Sequence, residues 1–293
     1  LPIYEIHSWL TGKRMVSIPF ATISEPLASA AEEMDLLLTG ALDLFEKNRF
    51  SYMEIKALDT GLFLKQDGFF CDNFFQYHYI DLTQTLDTIW KNLNYKSVRY
   101  EINKSKKSSL KLSYATTVDD VSGFYRLYAE TRKGLGLPAQ PLKFFLSLWN
   151  LFSKAGNVFI LFAKVENNVA AAHLLFDFNG RVSVEAIGWD MKYTRTSPNH
   201  FLFWHGITLA HEKGRRIFDF GRTSPNNQSL MDFKKRWGTI ITDLPSYYYP
   251  ITRYEKGTDR DKTTAYKAAS FACQKAPDLF YNQISKFCYR HLG

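Results

Sequence analysis

The stretch VFILFAKVENNVAAAHLLFDFNGRVSVEAIGWDMKYTRTSPNHFLFWHGITLAHEKGRRIFDFG, residues 158–221, decides the fold. Val158 to Val165, Val169 to Phe178 and Val182 to Trp189 are runs rich in β-branched and aromatic residues, which read as strands. Glu166-Asn167-Asn168 separates the first two and Asn179-Gly180 the second two. Asn-Gly predicts a tight hairpin because both residues tolerate positive φ. Arg195 to Asn199 reads as a polar loop, His200 to Lys213 as a helix and Ile217 to Gly221 as a short buried strand. The order is strand, strand, strand, loop, helix, strand.

Upstream, Leu1 to Leu10 and Met15 to Phe20 read as strands around a Thr11-Gly12-Lys13 turn. Met34, Leu37, Leu38, Ala41, Leu42 and Phe45 put a helical face on Ser29 to Asn48. Tyr52 to Ala57 reads as a buried strand, and Ile80 to Leu93 as a helix. Between Lys91 and Lys111 seven basic residues face one acid, Glu101. Helices are expected at 119–133 and 141–154, on either side of a turn at 134–138. Downstream, Phe233 to Thr239 leads into a last strand through Tyr247, Tyr248 and Tyr249, and 251–293 forms an amphipathic basic tail.

Composition limits the class. The 293 residues suffice for about two domains. A hydrophobic share of 45% and a charged share of 23% exclude disorder. No apolar run reaches the ~18 residues of a membrane-spanning helix. The net charge of +8 favours anionic partners such as nucleic acid, phosphorylated molecules or anionic lipid. Cys71, Cys273 and Cys288 include no Cys-x-x-Cys pair, which argues against a zinc site and a disulfide framework and for a reducing, cytoplasmic setting. The chain opens on Leu1 without a signal peptide and reads like the interior of a longer one.

Several strings converge on one family. TRKGLGLPAQPLKFF (131–145), SPNHFLFWHGI (197–207), KGRRIFDFGRTSPNNQSLMDFKKRWG (213–238) and SYYYP (246–250) resemble the FemAB-like branch of the GNAT superfamily. VSIPF (16–20), DNFFQYHYIDL (72–82) and QKAPDLFYNQISKFCYRHLG (274–293) extend the resemblance over nearly the whole chain. That branch includes the Fem peptidoglycan peptidyltransferases, the FemAB-related proteins of exopolysaccharide clusters and BioF2-like proteins. The resemblance implies an α+β fold of two GNAT-like domains facing across a cleft. On this reading 1–100 is the first domain, incomplete at its N-terminus, 101–250 the second, and 251–293 a basic helical tail. In a GNAT core two neighbouring strands splay apart, and the following helix points its N-terminus into the gap, where its exposed N–H groups hold a phosphorylated donor.

The implied activity is transfer of an acyl or aminoacyl group to an amine of a cell-envelope or polysaccharide precursor. Aminoacyl-tRNA or acyl-CoA would be the donor, with no tightly bound cofactor. Two alternatives stand beside it: an acyl-CoA-dependent N-acetyltransferase acting on a saccharide or small amine, and a non-catalytic RNA-binding protein. The GNAT pyrophosphate loop normally reads Gln/Arg-x-x-Gly-x-Gly/Ala, and Arg195-Thr196-Ser197-Pro198-Asn199 departs from it, which weakens the CoA reading. DFG at 219–221 is not the kinase motif, because no glycine-rich loop or HRD-like string accompanies it.

Acyl transfer to an amine needs a proton acceptor, a positioned carbonyl and a stabilised oxyanion. The resemblance places a functional lysine in the FKK string, so Lys234 is the candidate ligand of the oxyanion or donor phosphate, with Lys235 as substitute; both alternatively belong to a solvated charge run. Asp219, at the end of a buried strand, orients a base, or pairs with Arg222, or closes a turn with it. Glu54, inside an apolar strand, and Asp72, on a turn before an aromatic stretch, are the candidate general bases of the first half. Arg99 is assigned to the acceptor's phosphates because its planar fork binds two oxygens at once. Thr196, Ser197 and Asn199 form the donor-binding helix start, with a hydroxyl suited to the cap and Pro198 to the first turn. His200, His205 and His211 do not share a helix face, so no metal site is expected. In the tail, Phe271, Phe280, Ile284, Phe287 and Leu292 form an apolar stripe that packs on the body or touches an anionic membrane.

Overall fold

At Asn179 (φ 48°) and Gly180 (φ 77°) both turn residues have positive φ, and the hairpin they close joins strands β7 (Asn168–Phe178) and β8 (Arg181–Trp189). This is a computed structural model that describes residues 1–9, 12–58, 68–251 and 264–291. With β6 (Val158–Val165), β7 and β8 form an antiparallel meander. A 3-10 turn over Met191–Thr196 leads into helix α6 (Pro198–Glu212), and β9 (Ile217–Thr223) returns parallel to β8.

Outside this core lie β1 (Tyr4–Ser8), β2 (Gly12–Val16), β3 (Met53–Lys56), β4 (Phe70–Asp81), β5 (Leu110–Tyr114) and β10 (Ile240–Tyr249). The ten strands form one sheet in the order β1-β2-β3-β10-β4-β9-β8-β7-β6-β5. The sheet is not interrupted at the expected boundary near residue 100. β10, from the second half of the chain, lies between β3 and β4 of the first half.

Helices cover both faces. Helix α1 (Ala31–Asn48) buries Met34, Leu38, Ala41 and Phe45, spaced at helical intervals, against Met15, Met53, Ile55 and Tyr247. Each such buried side chain contributes about 1.5–3 kcal/mol. Helix α2 (Leu86–Asn92) is followed by a π-helical turn at Tyr95–Arg99 and by α3 (Tyr100–Lys106). Helix α4 (Val118–Gly134) starts in a Thr117/Asp120 capping box and packs Phe124 and Tyr128 on Phe145 of α5 (Leu142–Phe152). It crosses β8 so closely that a Cβ on Gly188 would lie 2.6 Å from the Tyr128 nitrogen. On the other face α6 packs Leu202, Phe203 and Ile207 in a cluster with Val182, Leu175 and Phe218, joined by Trp237 just beyond α7 (Gln228–Arg236).

Several expectations are corrected. Ile80 and Asp81 continue β4, paired with Phe218 and Ile217, and the helix begins only at Leu86 behind its Thr85 cap. Asp72 does not lie on a turn. It sits within β4 opposite Ser246, and β4 accommodates an extra residue between Asp72 and Phe75 as a bulge. The strand expected to run to Phe20 ends at Val16, before Pro19 and the positive φ of Phe20. The segment Phe233 to Thr239 is largely the end of α7. The tail helices α8 (Thr264–Lys275) and α9 (Asp278–His291) pack on the body: Tyr281 donates to the Leu137 carbonyl (2.8 Å), and the Ala139 N–H to Ser285 (3.1 Å). Leu10 of the expected first strand, Thr11 of the expected turn and Leu292 of the expected stripe lie outside the described residues.

Candidate active site

β8 and β9 pair only at Arg181–Ile217, Val182–Phe218 and Ser183–Asp219, and then part. Both strands bulge at that level. On β8, Leu174 pairs with Ala186 and Leu175 with Val184, so Glu185 is the extra residue. On β9, Tyr79 pairs with Asp219 and His78 with Gly221, so Phe220 is extra, and Gly221 takes φ 71°. Bulges re-aim side chains and end pairing. Beyond Ser183, the amides of β8 that face β9 have no strand partner.

Polar groups line the sheet face where the strands part. Asp219, 5% exposed, accepts from the Gly221 N–H (2.5 Å) and from Arg181 Nη1 (3.4 Å). Arg181 Nη1 also donates to the Tyr77 hydroxyl (2.8 Å), and the Tyr77 and Tyr79 rings stack at 5.5 Å. Burial pushes the Asp219 carboxyl above its usual range, against the hydrogen bonds from Gly221, Tyr77 and Arg181. Glu185 accepts from Ser183 Oγ (2.7 Å). Its side chain is open to solvent, yet so much protein surrounds it that desolvation raises its carboxyl too. The bond from Ser183 opposes that shift and the charge of Asp219 adds to it. Two raised carboxyls, one sealed and one accessible, suit the removal of a proton from a bound amine.

The sequence reasoning passed over Glu185. Its signal was a single carboxylate inside the run VSVEAIGW, the pattern that singled out Glu54. Glu54 accepts from the Tyr248 hydroxyl (3.2 Å). It faces the same side of the sheet as Asp219, but the ladder places it level with Phe70, nine residues along β4 from the Tyr79 that pairs with Asp219, about 30 Å away. Asp72 lies on the same distant part of that face.

Lys234 is 5% exposed and donates to the carbonyls of Gly221 (3.0 Å) and Arg222 (2.9 Å), just past the last β8–β9 pair. Two of its three N–H groups are committed to holding β9, so it does not belong to a solvated charge run. Desolvation pushes its pKa down to about 8, against the attraction of Asp219. Lys235 is exposed on the same helix. The partner of Asp219 is Arg181, which corrects the expected pairing with Arg222; the Arg222 guanidinium lies 4.5 Å over the Phe75 ring.

The start of α6 also differs from expectation. Ser197 stands at the N-cap position in a left-handed conformation (φ 57°), but its hydroxyl caps no helix N–H and donates to the Glu101 carboxylate. Thr196 donates to the Tyr193 carbonyl (2.8 Å), and Asn199 Oδ1 meets His173 Nε2 at 3.1 Å. Burial raises the Glu101 carboxyl, but the bonds from Ser197 and Lys104 outweigh it and leave the group below its usual range. Beside Glu101 opens a cavity of about 610 Å³ lined by Tyr95, Lys96, Arg99, Tyr100, Asn103, Lys104 and Lys107. Arg99 lines this cavity, its guanidinium 5.1 Å over the Tyr95 ring, and its buried Nε has no hydrogen-bond partner among the described residues. Neither Ser197 nor Lys234 lines it. Among the described residues no group of three or more His, Cys, Asp or Glu side chains is placed to hold a metal ion.

The order β6, β7, β8, α6, β9, with β8 and β9 parallel and then parting, is the GNAT-type core that the sequence resemblance implies. Residues 94–235 match the acetyltransferase (GNAT) domain family. The chain is similar to the crystal structure of FemX, with a TM-score of 0.65, 12% identity and coverage of 86% of this chain and 89% of that one. It is also similar to L-PGS from Bacillus licheniformis, with a TM-score of 0.58, 12% identity and coverage of 94% and 86%. The C-terminal domain of a putative lysylphosphatidylglycerol synthetase from Agrobacterium fabrum gives a TM-score of 0.58 at 11% identity, covering 85% and 83%. No curated protein matches the sequence. Residues 94–235 thus carry an acetyltransferase (GNAT) domain, within a chain whose fold is like that of FemX.

Proposed function

We propose that this acyltransferase moves an acyl or aminoacyl group onto an amine of a phosphate-bearing cell-envelope or polysaccharide precursor. The observation that carries the reading is the parting of β8 from β9 with Glu185 and Asp219 on its floor. The acceptor amine gives its proton to Glu185 and attacks the donor carbonyl, and the tetrahedral oxyanion meets the β8 amides freed by the parting; its collapse breaks the bond from the carbonyl carbon to the donor's ester oxygen or thioester sulfur, and that leaving group takes the proton from Glu185. Asp219 holds Arg181 and Tyr77 in place, and Lys234 acts through β9 by keeping the strands apart. Arg99 and the lysines of the adjoining cavity supply cations for phosphates.

The donor reading turns on Glu101. A carboxylate fixed at the start of α6 competes with a pyrophosphate for the positive end of that helix. This favours an aminoacyl-tRNA donor over acyl-CoA. The likeness to FemX and to a lysylphosphatidylglycerol synthetase domain points towards the cell envelope. The exposed Phe271, Leu279, Phe280 and Phe287 of the tail, beside Lys275, Lys286 and Arg290, are where it would touch an anionic membrane on the cytoplasmic side. No helix among the described residues is long and apolar enough to cross one.

Calorimetry with acetyl-CoA and with aminoacyl-tRNA, followed by transfer assays on amine-bearing nucleotide and lipid precursors, tests the reading. Tight binding of acetyl-CoA with no response to aminoacyl-tRNA would overturn the choice of donor. Arg99→Gln should raise KM for a phosphorylated acceptor about tenfold with little change in kcat, and an unchanged KM would remove Arg99 from the site.

A further inference from the structure

Lys56 ends β3, the third strand from one edge of the ten-stranded sheet, and is only 6% exposed. Its backbone is pinned on both sides: its N–H donates to Ser17 Oγ (3.1 Å) and its carbonyl accepts from the Ser24 N–H (3.0 Å). Its ammonium has no hydrogen-bond or ion-pair partner among the described residues. The nearest attractive charge is Glu54, which lies beyond ion-pair distance and already accepts from Tyr248. The second charge acting on Lys56 is repulsive and comes from Arg222. Arg222 also lacks a carboxylate partner among the described residues, because Asp219 pairs with Arg181.

The register places both cations on the face that carries Asp219. Lys56 pairs with Ser246, and Ser246 with Asp72. Past the β4 bulge that face continues through Phe75 and Tyr77, and Tyr77 pairs with Arg222. Two cations that repel each other, one of them nearly sealed from water, are costly unless an anion joins them.

We propose that Lys56 and Arg222 form an oxyanion site that binds a carboxylate or phosphate at the far end of the acceptor. The proposal rests on the transfer reading for the word acceptor alone. Four strand spacings separate Lys56 on β3 from Glu185 on β8, and Lys56 is level with Asp72, seven residues along β4 from the Tyr79 that pairs with Asp219, so the two lie on the order of 30 Å apart. An acceptor that touches both is therefore extended. A single amino sugar is too short, and a precursor with a nucleotide or peptide arm has the reach.

The test is titration calorimetry of the full chain with inorganic phosphate and with glutarate, at ionic strength held constant with chloride. Phosphate or glutarate should bind the wild type, and Lys56→Met should weaken that binding at least tenfold. Lys56→Arg should keep most of it, Arg222→Gln should lose it, and Arg99→Gln should leave the Lys56-dependent component in place. A response to phosphate alone marks a phosphorylated arm, and to glutarate alone a carboxylate arm. In anion-free buffer Lys56→Met should unfold no earlier than the wild type, because it removes an uncompensated cation. Equal affinity in wild type and Lys56→Met, or early unfolding of Lys56→Met without anion, overturns the site. None of these titrations needs turnover. A chain that binds through Lys56 yet transfers nothing from any donor loses the transfer reading and keeps the site; one that transfers without Lys56-dependent binding loses only the site.

Discussion

Replacing Lys234 by methionine removes the ammonium that two β9 carbonyls share, while its stem is replaced by a chain of similar length. A buried carbonyl left without a donor costs about 1–3 kcal/mol, so the two together cost about 2–6 kcal/mol. Against this stands the expense of keeping Lys234 charged in its buried position. The fall from 10.5 to about 8 corresponds, at ~1.4 kcal/mol per pH unit, to about 3 kcal/mol. At pH 7 the variant should therefore lie between about 1 kcal/mol more stable and about 3 kcal/mol less stable than the wild type. The pH dependence is the sharper signature. Between about pH 8 and 10.5 the unfolded chain still carries the Lys234 proton and the folded chain has released it, so wild-type stability rises with pH through that window relative to the variant. The gap between the two should widen by about 3 kcal/mol from pH 7.5 to pH 10.5. Urea unfolding followed by tryptophan fluorescence measures it, with buried Trp237 beside the altered helix as reporter. Tyrosines and cysteines that titrate in both proteins cancel in the difference. A gap that stays flat over this range would show that Lys234 is not the desolvated cation described here. Because Lys234 supports β9, transfer activity should fall in kcat more than in KM.

Glu185→Gln should lower kcat by about 10²–10⁴ and remove the acid limb of the pH–rate profile, which in the wild type lies above the ordinary carboxylate range; an unaltered profile would exclude Glu185 as the base. Gly188→Ala puts a methyl group against the backbone of α4, 2.6 Å from the Tyr128 nitrogen, and should cost about 1–3 kcal/mol in urea unfolding, whereas Gly156→Ala, strained in φ but in open space, meets no neighbour. His173 lies fully buried against Asn199, and desolvation pushes its pKa down to about 4. From pH 6.5 to pH 4 the unfolded chain binds a proton there that the folded chain refuses, so stability falls as the solution is acidified. His173→Gln should abolish roughly 2–2.5 kcal/mol of that fall, as read from urea unfolding at pH 7 and pH 4.5.

The meander of residues 158–189, helix α6 and strand β9 were legible because their signals are local: period-two runs, an Asn-Gly turn, and Pro198 in a helical first turn. Asp219 was singled out by its place at the end of a buried strand, and Arg99 by its planar fork within a basic run. The misreadings have a common origin. β4 was missed because its aromatic run FFQYHYID gains its meaning from pairing on both sides, with β10 and β9, which come more than a hundred residues later. Arg222 was matched to Asp219 by closeness in sequence, but a bulge at Phe220 re-aims the strand between them and Arg181 arrives from β8.

From its residues alone this chain settles its local elements, its basic character and the kind of transferase it resembles, because helix faces, turns and charge depend on neighbours a few positions apart. Which carboxyl is open to solvent, where β8 leaves β9, that Glu101 occupies the start of α6 and that Lys56 has no counter-ion among the described residues are decided only when distant strands assemble into one sheet. Bulges shift register by a single residue, and burial depends on what packs from elsewhere in the chain. Neither quantity is written in any short stretch of sequence.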